Sequence, residues 1–392
     1  MTALISRCPA CGSDDLTDFH HVEEVPTNSC LLLDDLDEVA ALPVGELLLA
    51  FCEGCGLITN RAFEPGRAEY SQRYEETQAY SDRFVAWGRD LAARWVSDHG
   101  LGGATALEIG CGKGEFLEWM VEGGLGAGVG IDPGIHPERR TVQNIEWVRD
   151  LFTDDHGPIT QDAVVCRHTL EHIHDVRGFM TAVRRGIGDR DIPVLWEVPD
   201  VLRVLDEGAF WDLYYEHCTY FSAGSLVRLF RETGFVVERV ERDYDDQYLL
   251  LEARPAGPGR TVGPVLELED DVDQLRKAVQ RFRRTVEARL AETRSLVDAV
   301  AAKGGRVVVW GSGSKGVSYL GAMGTNSPIE YAVDINPHKR GRFIAGGGQR
   351  IVPPDFLRDY QPSLVVAMNP VYVTEIGAAL DAMGVRAHLV AV

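Results

Sequence analysis

Basic residues are scarce in this chain: 39 Lys and Arg stand against 60 Asp and Glu among 392 residues, a formal net charge of −21 at pH 7. Phosphate backbones repel such a surface, and no local basic stripe relieves the repulsion, so nucleic acid is excluded as a partner. No stretch reaches ~18 consecutive apolar residues, which excludes a membrane-spanning helix and gives no reason to expect a membrane partner. The opening MTALISRCPACGS lacks a basic segment leading into an apolar run, so secretion has no support and a cytoplasmic location is expected. With 45% hydrophobic and 25% charged residues, the chain is globular and long enough for roughly two or three domains of ~100–200 residues. Small acidic or neutral molecules remain as partners.

Cysteine is sparse but not scattered. Cys8-Pro-Ala-Cys11 and Cys52-Glu-Gly-Cys55 are two C-x-x-C knuckles, each followed by Gly, while Cys30, Cys111, Cys166 and Cys218 have no such neighbours. Four thiolates suit a soft tetrahedral ion at about 2.3 Å, and the trailing glycines accept the tight turn, so Cys8, Cys11, Cys52 and Cys55 are the expected ligands of a structural zinc. Iron, or two redox pairs, is the competing reading. The long gap between the knuckles calls for a sheet insertion. Residues 1 to 60 carry eleven acidic residues and one basic one, Arg7, which points to a scaffold or substrate lid rather than a nucleic-acid grip. Tyr70, Tyr74 and Tyr80 follow in YSQRYEETQAYSDRF; they are packed connectors or phenols that orient a polar ligand.

A strand, glycine turn and helix come next in TALEIGCGKGEFLEWMVEGG, with Glu108 inside the strand and Gly110, Gly112 and Gly114 in the turn. Backbone this open approaches a ligand closely, and the helix start offers free N–H groups. GAGVGIDPG then ends a strand at Asp132, an acid placed to accept ribose hydroxyls. An adenosine cofactor is implied. The apolar runs DAVVC and PVLWEVP, a helix at SAGSLVRLFRETG, and a hairpin of FVVERVERDY with YLLLEARP predict a parallel sheet closed by an antiparallel strand. That arrangement favours S-adenosylmethionine over nicotinamide, whose domain continues as crossover units.

After Pro255-Ala-Gly-Pro-Gly, which reads as a linker, Leu268, Val272, Leu275, Val279, Phe282, Val286 and Leu290 recur at steps of three or four and predict one long helix over 266–300. Its stripe packs on the chain itself or on a second copy, leaving a homodimer open. RVVVWGSGSKGVSYL then brings Gly311, Gly313 and Gly316 in dinucleotide spacing, followed by Asp334 at a strand end. Taken alone this is a nicotinamide fingerprint, and an NAD-dependent oxidoreductase is a competing class. Its physical content is broader: close backbone, a helix N-terminus and Lys315 hold phosphates of many kinds, nucleotide-sugar diphosphates included. Lys339, Arg340 and Arg342 suit an anion as well, or a solvated surface.

Two segments carry the reactive groups. HTLEHIHD supplies His168, Glu171, His172, His174 and Asp175 after a central strand, and DLYYEHCTYFS supplies Tyr214, Tyr215, Glu216 and His217 ahead of a helix. Open α/β sheets bind ligands at such strand ends. Two metal-binding histidines at i and i+4 on one helix, His168 and His172, make a rival reading, and a satisfied core imidazole is the bland one for His217. A catalytically silent zinc scaffold is a third class.

With these residues the chain resembles the S-adenosylmethionine-dependent C-methyltransferases that act on nucleotide-activated deoxysugars in antibiotic pathways. The resemblance rests on the four cysteines, E-I-G-C at Glu108 to Cys111, T-L-x-H-I at Thr169 to Ile173, Y-x-E-H at Tyr214 to His217 and the C-terminal α/β domain. It implies an α/β chain: a zinc module over 1–70, a class I methyltransferase Rossmann-like core over 71–256, a linker helix over 257–303 and a second Rossmann-like domain over 304–392. It further implies a thymidine-diphosphate 4-keto sugar methylated at carbon 3. His217 would be the base, Tyr214 and Glu216 its orienting partners, His172 an electrophilic contact and Tyr74 a lid tyrosine. Glu108, Gly110, Gly112, Gly114, Asp132 and His168 would serve the cofactor, and Gly311, Gly313, Lys315 and Asn369 the nucleotide sugar. Asp245-Asp246-Gln247-Tyr248 stands where the family carries His-Gly-Gly, and Pro370 where it can carry His. Another phosphorylated or carboxylated acceptor, methylated at carbon, nitrogen or oxygen, is therefore the alternative.

Overall fold

The computed structural model describes residues 4–257, 263–324 and 326–392. Pro258 and Gly259 of the expected linker lie outside them.

The sheet insertion between the knuckles is present. Strand Leu16–Pro26 pairs antiparallel with Val44–Cys52, helix Leu36–Ala41 lies between them, and Val44–Cys52 pairs in turn with Ile58–Asn60. The fourth strand of this N-terminal sheet comes from far along the chain: Thr219–Tyr220 pairs antiparallel with Ile58–Asn60, Ile58 opposite Tyr220 and Thr59 opposite Thr219. The reactive strip ending at Cys218 is thereby stitched to the N-terminal module.

The central sheet has seven strands in the order Phe235–Asp243, Tyr248–Pro255, Val194–Pro199, Ala163–Arg167, Thr105–Ile109, Ala127–Ile131 and Ile145–Val148. The last five run parallel, and the predicted hairpin closes the other edge antiparallel. Every residue of Ala163–Arg167 is buried, as expected of a parallel strand covered on both faces. Strand order reverses around Thr105–Ile109, which opens a crevice at its carboxyl end. The C-terminal sheet is wholly parallel, in the order Arg350–Val352, Tyr331–Val333, Val307–Trp310, Leu364–Ala367 and His388–Ala391.

The long helix spans Val272–Ala301, starting later than the periodicity predicts. Asp271 sets its start: the carboxylate accepts from Gly224 N and from Arg228, tying the helix entrance to helix Ala223–Glu232. Leu275, Ala278, Val279, Phe282, Val286 and Val297 are buried in one apolar cluster with Phe19, Leu47, Leu205, Trp211 and Val309. Most of the stripe is thus spent inside the chain. The same cluster joins N-terminal, central and C-terminal elements into one core.

Candidate active site

A cavity of about 1000 Å³ lies at the carboxyl ends of the central strands and is closed from the opposite side by the C-terminal domain. Glu108, Gly110, Gly112, Asp132 and His168 line it. Gly114 does not: at φ 87°, a Cβ there would strike the Trp147 ring at 2.6 Å, so this third glycine serves packing rather than ligand approach. Gly110, at φ 68°, has the same constraint from Thr169. Asp132 accepts from Gly112 N at 3.0 Å and Gly134 N at 2.6 Å, which fixes the carboxylate at the loop and leaves lone pairs for further donors.

This end of the cavity is acidic. Burial pushes the Glu108 carboxyl up to about 8 and the Glu76 carboxyl to about 7, the latter against the opposing pull of Lys113. Burial raises Glu115 and Asp132 as well. Glu108 Oε2 and Glu76 Oε2 have no hydrogen-bond partner. The Lys113 amine donates to the carbonyls of Tyr74, at 2.5 Å, and Gly134, at 3.0 Å, and stands 3.6 Å from Glu76 Oε2 as its ion-pair partner. Buried carboxylates with oxygens that accept no hydrogen bond beside a glycine loop fit a cationic, ribose-bearing cofactor. Glu76 was not among the residues expected there; its only sequence signal is its place after Tyr74 in the tyrosine-rich segment.

His217 lines the same cavity, 6% exposed. Its ring lies 4.1 Å from that of Tyr214 and 4.8 Å, edge to face, from that of His172. Burial holds the His217 imidazole well below its usual range, and the cationic forms of His172 and His168 add to this. It is therefore neutral and able to accept a proton at pH 7. Burial also lowers His172, whose Nδ1 is 3.0 Å from the Tyr70 hydroxyl. Tyr214 is clasped at its backbone by the Tyr220 hydroxyl, which accepts from Tyr214 N at 3.3 Å and donates to Tyr214 O at 3.2 Å.

Glu216 differs from expectation. Its carboxylate turns away from the cavity and accepts from Ser29 N at 2.9 Å, Ser29 Oγ at 2.7 Å and Tyr74 Oη at 3.0 Å. No hydrogen bond joins it to His217 among the described residues, so the expected orienting contact is not made. Tyr215 and Glu216 form a turn, after which Glu216 is packed against Ser29 and Tyr74 while His217 lines the cavity. His168 and His172 do not share a helix face either. Leu170–His172 is a single 3₁₀ turn, and His168, in the left-handed region at φ 47°, points its Nε2 to Glu197 Oε1 at 2.6 Å. The paired-ligand arrangement is not formed.

The far wall comes from the second glycine loop. Gly311, Gly313, Lys315 and Asn369 all line the cavity. Lys315 Nζ is 3.1 Å from Asp212 Oδ1. Asn369 and Gln247 exchange two amide hydrogen bonds, at 3.0 and 2.9 Å, across the domain boundary. Of the basic trio, Lys339 reaches the cavity, Arg340 is exposed and Arg342 pairs with Asp34. Asp334 is occupied by its own loop: Ser312 N and Oγ and Asn336 N all donate to it.

The four cysteines of the knuckles meet with all sulfurs within 4.8 Å of one another, Cys8 to Cys55 and Cys11 to Cys52 each at 3.5 Å. Four converging thiols without acid or imidazole fit a tetrahedral zinc or iron ion. The cluster packs under Leu57 and Leu226, far from the His217 strip in function but joined to it through Ile58–Asn60.

Comparison with known proteins fits this division. Residues 78–240 match the family described as "Methyltransferase domain", and residues 250–388 match "C-methyltransferase C-terminal domain". The chain belongs to the S-adenosylmethionine-dependent C-methyltransferases. C-methyltransferase NovU of Streptomyces niveus is 27% identical over 396 residues, covering 95% of this chain and 91% of that protein. A ubiquinone biosynthesis O-methyltransferase of Acinetobacter baylyi is 32% identical over 114 residues, only 24% of this chain and 47% of its own length. Among solved structures, the 1,6-didemethyltoxoflavin-N1-methyltransferase of Burkholderia thailandensis covers 46% of this C-methyltransferase and 84% of itself, with 18% identity and a TM-score of 0.36.

Proposed function

We propose that this C-methyltransferase methylates the carbon next to the ketone of a nucleotide-activated 4-keto deoxysugar, at carbon 3, in a natural-product pathway of the cytoplasm. The observation that carries the reading is a buried His217, held neutral by its surroundings, lining the one cavity that two glycine loops share. The first loop, with Glu108, Gly110, Gly112, Asp132 and His168, would hold S-adenosylmethionine. When bound, that cofactor supplies an electrophilic methyl on a cationic sulfur. The second loop, with Gly311, Gly313, Lys315 and Asn369, would hold the nucleotide diphosphate and sugar.

A hydrogen beside a ketone is too weakly acidic for a free imidazole at pH 7, so the developing enolate oxygen must be stabilised while an aligned base removes the proton. His217 takes the proton in this reading. Tyr214 stands against its ring and His172 is the electrophilic partner at the oxygen. Tyr74 and Glu216 act by fixing the strip: the buried Tyr74–Glu216–Ser29 hydrogen bonds set where His217 stands. Water exclusion comes from the C-terminal domain and the Tyr70–Tyr74 segment. Cys8, Cys11, Cys52 and Cys55 would hold a structural zinc that pins the module to which the strip is stitched.

A second reading, another anionic small molecule as acceptor, is favoured by the Gln247–Asn369 amide pair, which reshapes the wall where the family carries small residues. Incubation with S-adenosylmethionine and a panel of nucleotide 4-keto sugars alongside non-sugar phosphates and carboxylates, read by mass analysis, separates the two. One added methyl on a keto sugar supports the first reading. Modification confined to non-sugar phosphates or carboxylates supports the second.

A further inference from the structure

Glu171 is the carboxylate that the cavity leaves uncommitted. It is 1% exposed, yet neither Oε1 nor Oε2 has a hydrogen-bond partner of good geometry. Its Oε1 lies between two imidazoles, 3.5 Å from His168 Nδ1 and 4.0 Å from His217 Nε2. A buried carboxylate whose oxygens make no hydrogen bond, and which is faced only by imidazoles at 3.5 and 4.0 Å, costs free energy that packing alone does not return. The site is also held firmly. Cys218 Sγ donates to Glu171 O at 3.6 Å and Thr219 Oγ1 to Leu170 O at 3.3 Å, so the turn bearing Glu171 and the strip bearing His217 move together.

We propose that Glu171 is the positioning residue for His217: it holds the imidazole with the ring hydrogen on Nε2, leaves Nδ1 as the proton acceptor, and stabilises the imidazolium once formed. This rests on the reading in which His217 deprotonates the acceptor. In that step the C–H bond beside the ketone breaks, its proton moves to His217 Nδ1, and the electron pair passes to the enolate. The ring gains one positive charge, matched by the enolate only until that carbon is methylated, in a place already faced by His172, Tyr214, Tyr220, His168 and Lys315. Glu216 cannot answer that charge, because three donors already saturate it. His168 does not consume Glu171 either: it lies between Glu171 and Glu197, and Arg167 is bidentate on Glu197, so the chain Arg167–Glu197–His168–Glu171 is balanced and ends at His217. Catalytic hydrogen bonds are often long before the substrate binds, and a 4.0 Å separation closes with a small ring rotation. A carboxylate that fixes one tautomer of a base and stabilises its protonated form is a general solution to this problem.

Nitrogen NMR on histidine-labelled full-length protein at pH 7, with His217 assigned by its loss in His217→Gln, reads the tautomer without any acceptor. The Nε2–H form is expected, and Glu171→Gln should populate both tautomers. An Nδ1–H or doubly protonated His217, or an unchanged tautomer in Glu171→Gln, overturns the proposal. Turnover of thymidine-diphosphate 4-keto-6-deoxyglucose supplies the second reading. In Glu171→Gln, kcat should fall about 10- to 100-fold with both KM values within about twofold, and the acid limb of its pH profile should move to lower pH. Glu171→Asp, which keeps the charge, should recover part of the loss and guards against a folding defect. Equal kcat in Glu171→Gln and wild type sinks the idea. Absence of turnover in wild type itself would count against the sugar as acceptor, and the tautomer would still decide the role of Glu171.

Discussion

At the scale of single residues, burial does most of the chemical tuning. Glu108 is 2% exposed, and its carboxyl is raised to about 8 from an ordinary 4.5. Between those two values the folded chain keeps a proton that the unfolded chain has released, so this group makes stability fall as pH rises. A cationic ligand reverses the preference by favouring the carboxylate. Affinity for S-adenosylmethionine should therefore rise from pH 6 to 8, by up to about tenfold per unit for one released proton, and level off above. Its neutral product, S-adenosylhomocysteine, should show a much flatter profile; calorimetry in buffers of differing ionisation heat checks both. Glu197 is the opposite case. Arg167 and His168 hold its carboxyl down at about 2 despite complete burial. Glu197→Gln leaves two buried cations with half a partner and should cost about 3–5 kcal/mol in denaturant unfolding. The glycine loop, Asp132, His172, Tyr214 and His217 were legible as residue types at strand ends and strip positions. Glu171 was legible as a residue type but not in its role, which lies in what fails to reach it, and Ser29 was not legible, because its contact is 187 positions away in sequence.

Elements were read well where periodicity was strong. The strand Ala163–Arg167, apolar up to Cys166, the all-apolar strand Val307–Trp310 and the helix Val272–Ala301 follow from their patterns. Two things were not readable. Ile145–Val148 is a short edge strand with one buried residue, too brief to show alternation. Thr219–Tyr220 is a two-residue strand whose partner lies in another domain, and no local pattern announces such pairing. The hairpin turn between Phe235–Asp243 and Tyr248–Pro255 stores backbone strain: Tyr244, Asp245 and Asp246 all sit in the left-handed region, at φ 53°, 54° and 58°. Tyr244 is held by Tyr372 and Asp245 by Arg83, whereas Asp246 is exposed. Asp246→Gly should stabilise the fold by about 0.5–1 kcal/mol, a rise of about one degree in melting temperature by calorimetry.

At the scale of the whole molecule, one core and one cavity join three parts that the sequence presents as separate. Leu47, Phe282 and Val309 share a cluster, and Ser29 links Glu216 to Ser314 through hydrogen bonds of 2.7 and 2.8 Å. The four-cysteine module thus supports the active site at a distance. Cys52→Ser with Cys55→Ser should abolish bound zinc in metal analysis and lower methyl transfer about tenfold or more, through loss of the strip rather than of cofactor affinity. The net charge, the strand order and the glycine loops foretold a small-molecule enzyme; how the parts converge was beyond any reading of local pattern.

The central claim is that His217 removes a proton from the carbon beside a ketone. Solvent deuterium incorporation into thymidine-diphosphate 4-keto-6-deoxyglucose, followed by NMR with enzyme and no methyl donor, tests it most directly. Wild type should exchange that hydrogen and His217→Ala should not, while still binding S-adenosylmethionine normally. Exchange at equal rates in the two proteins would contradict the account.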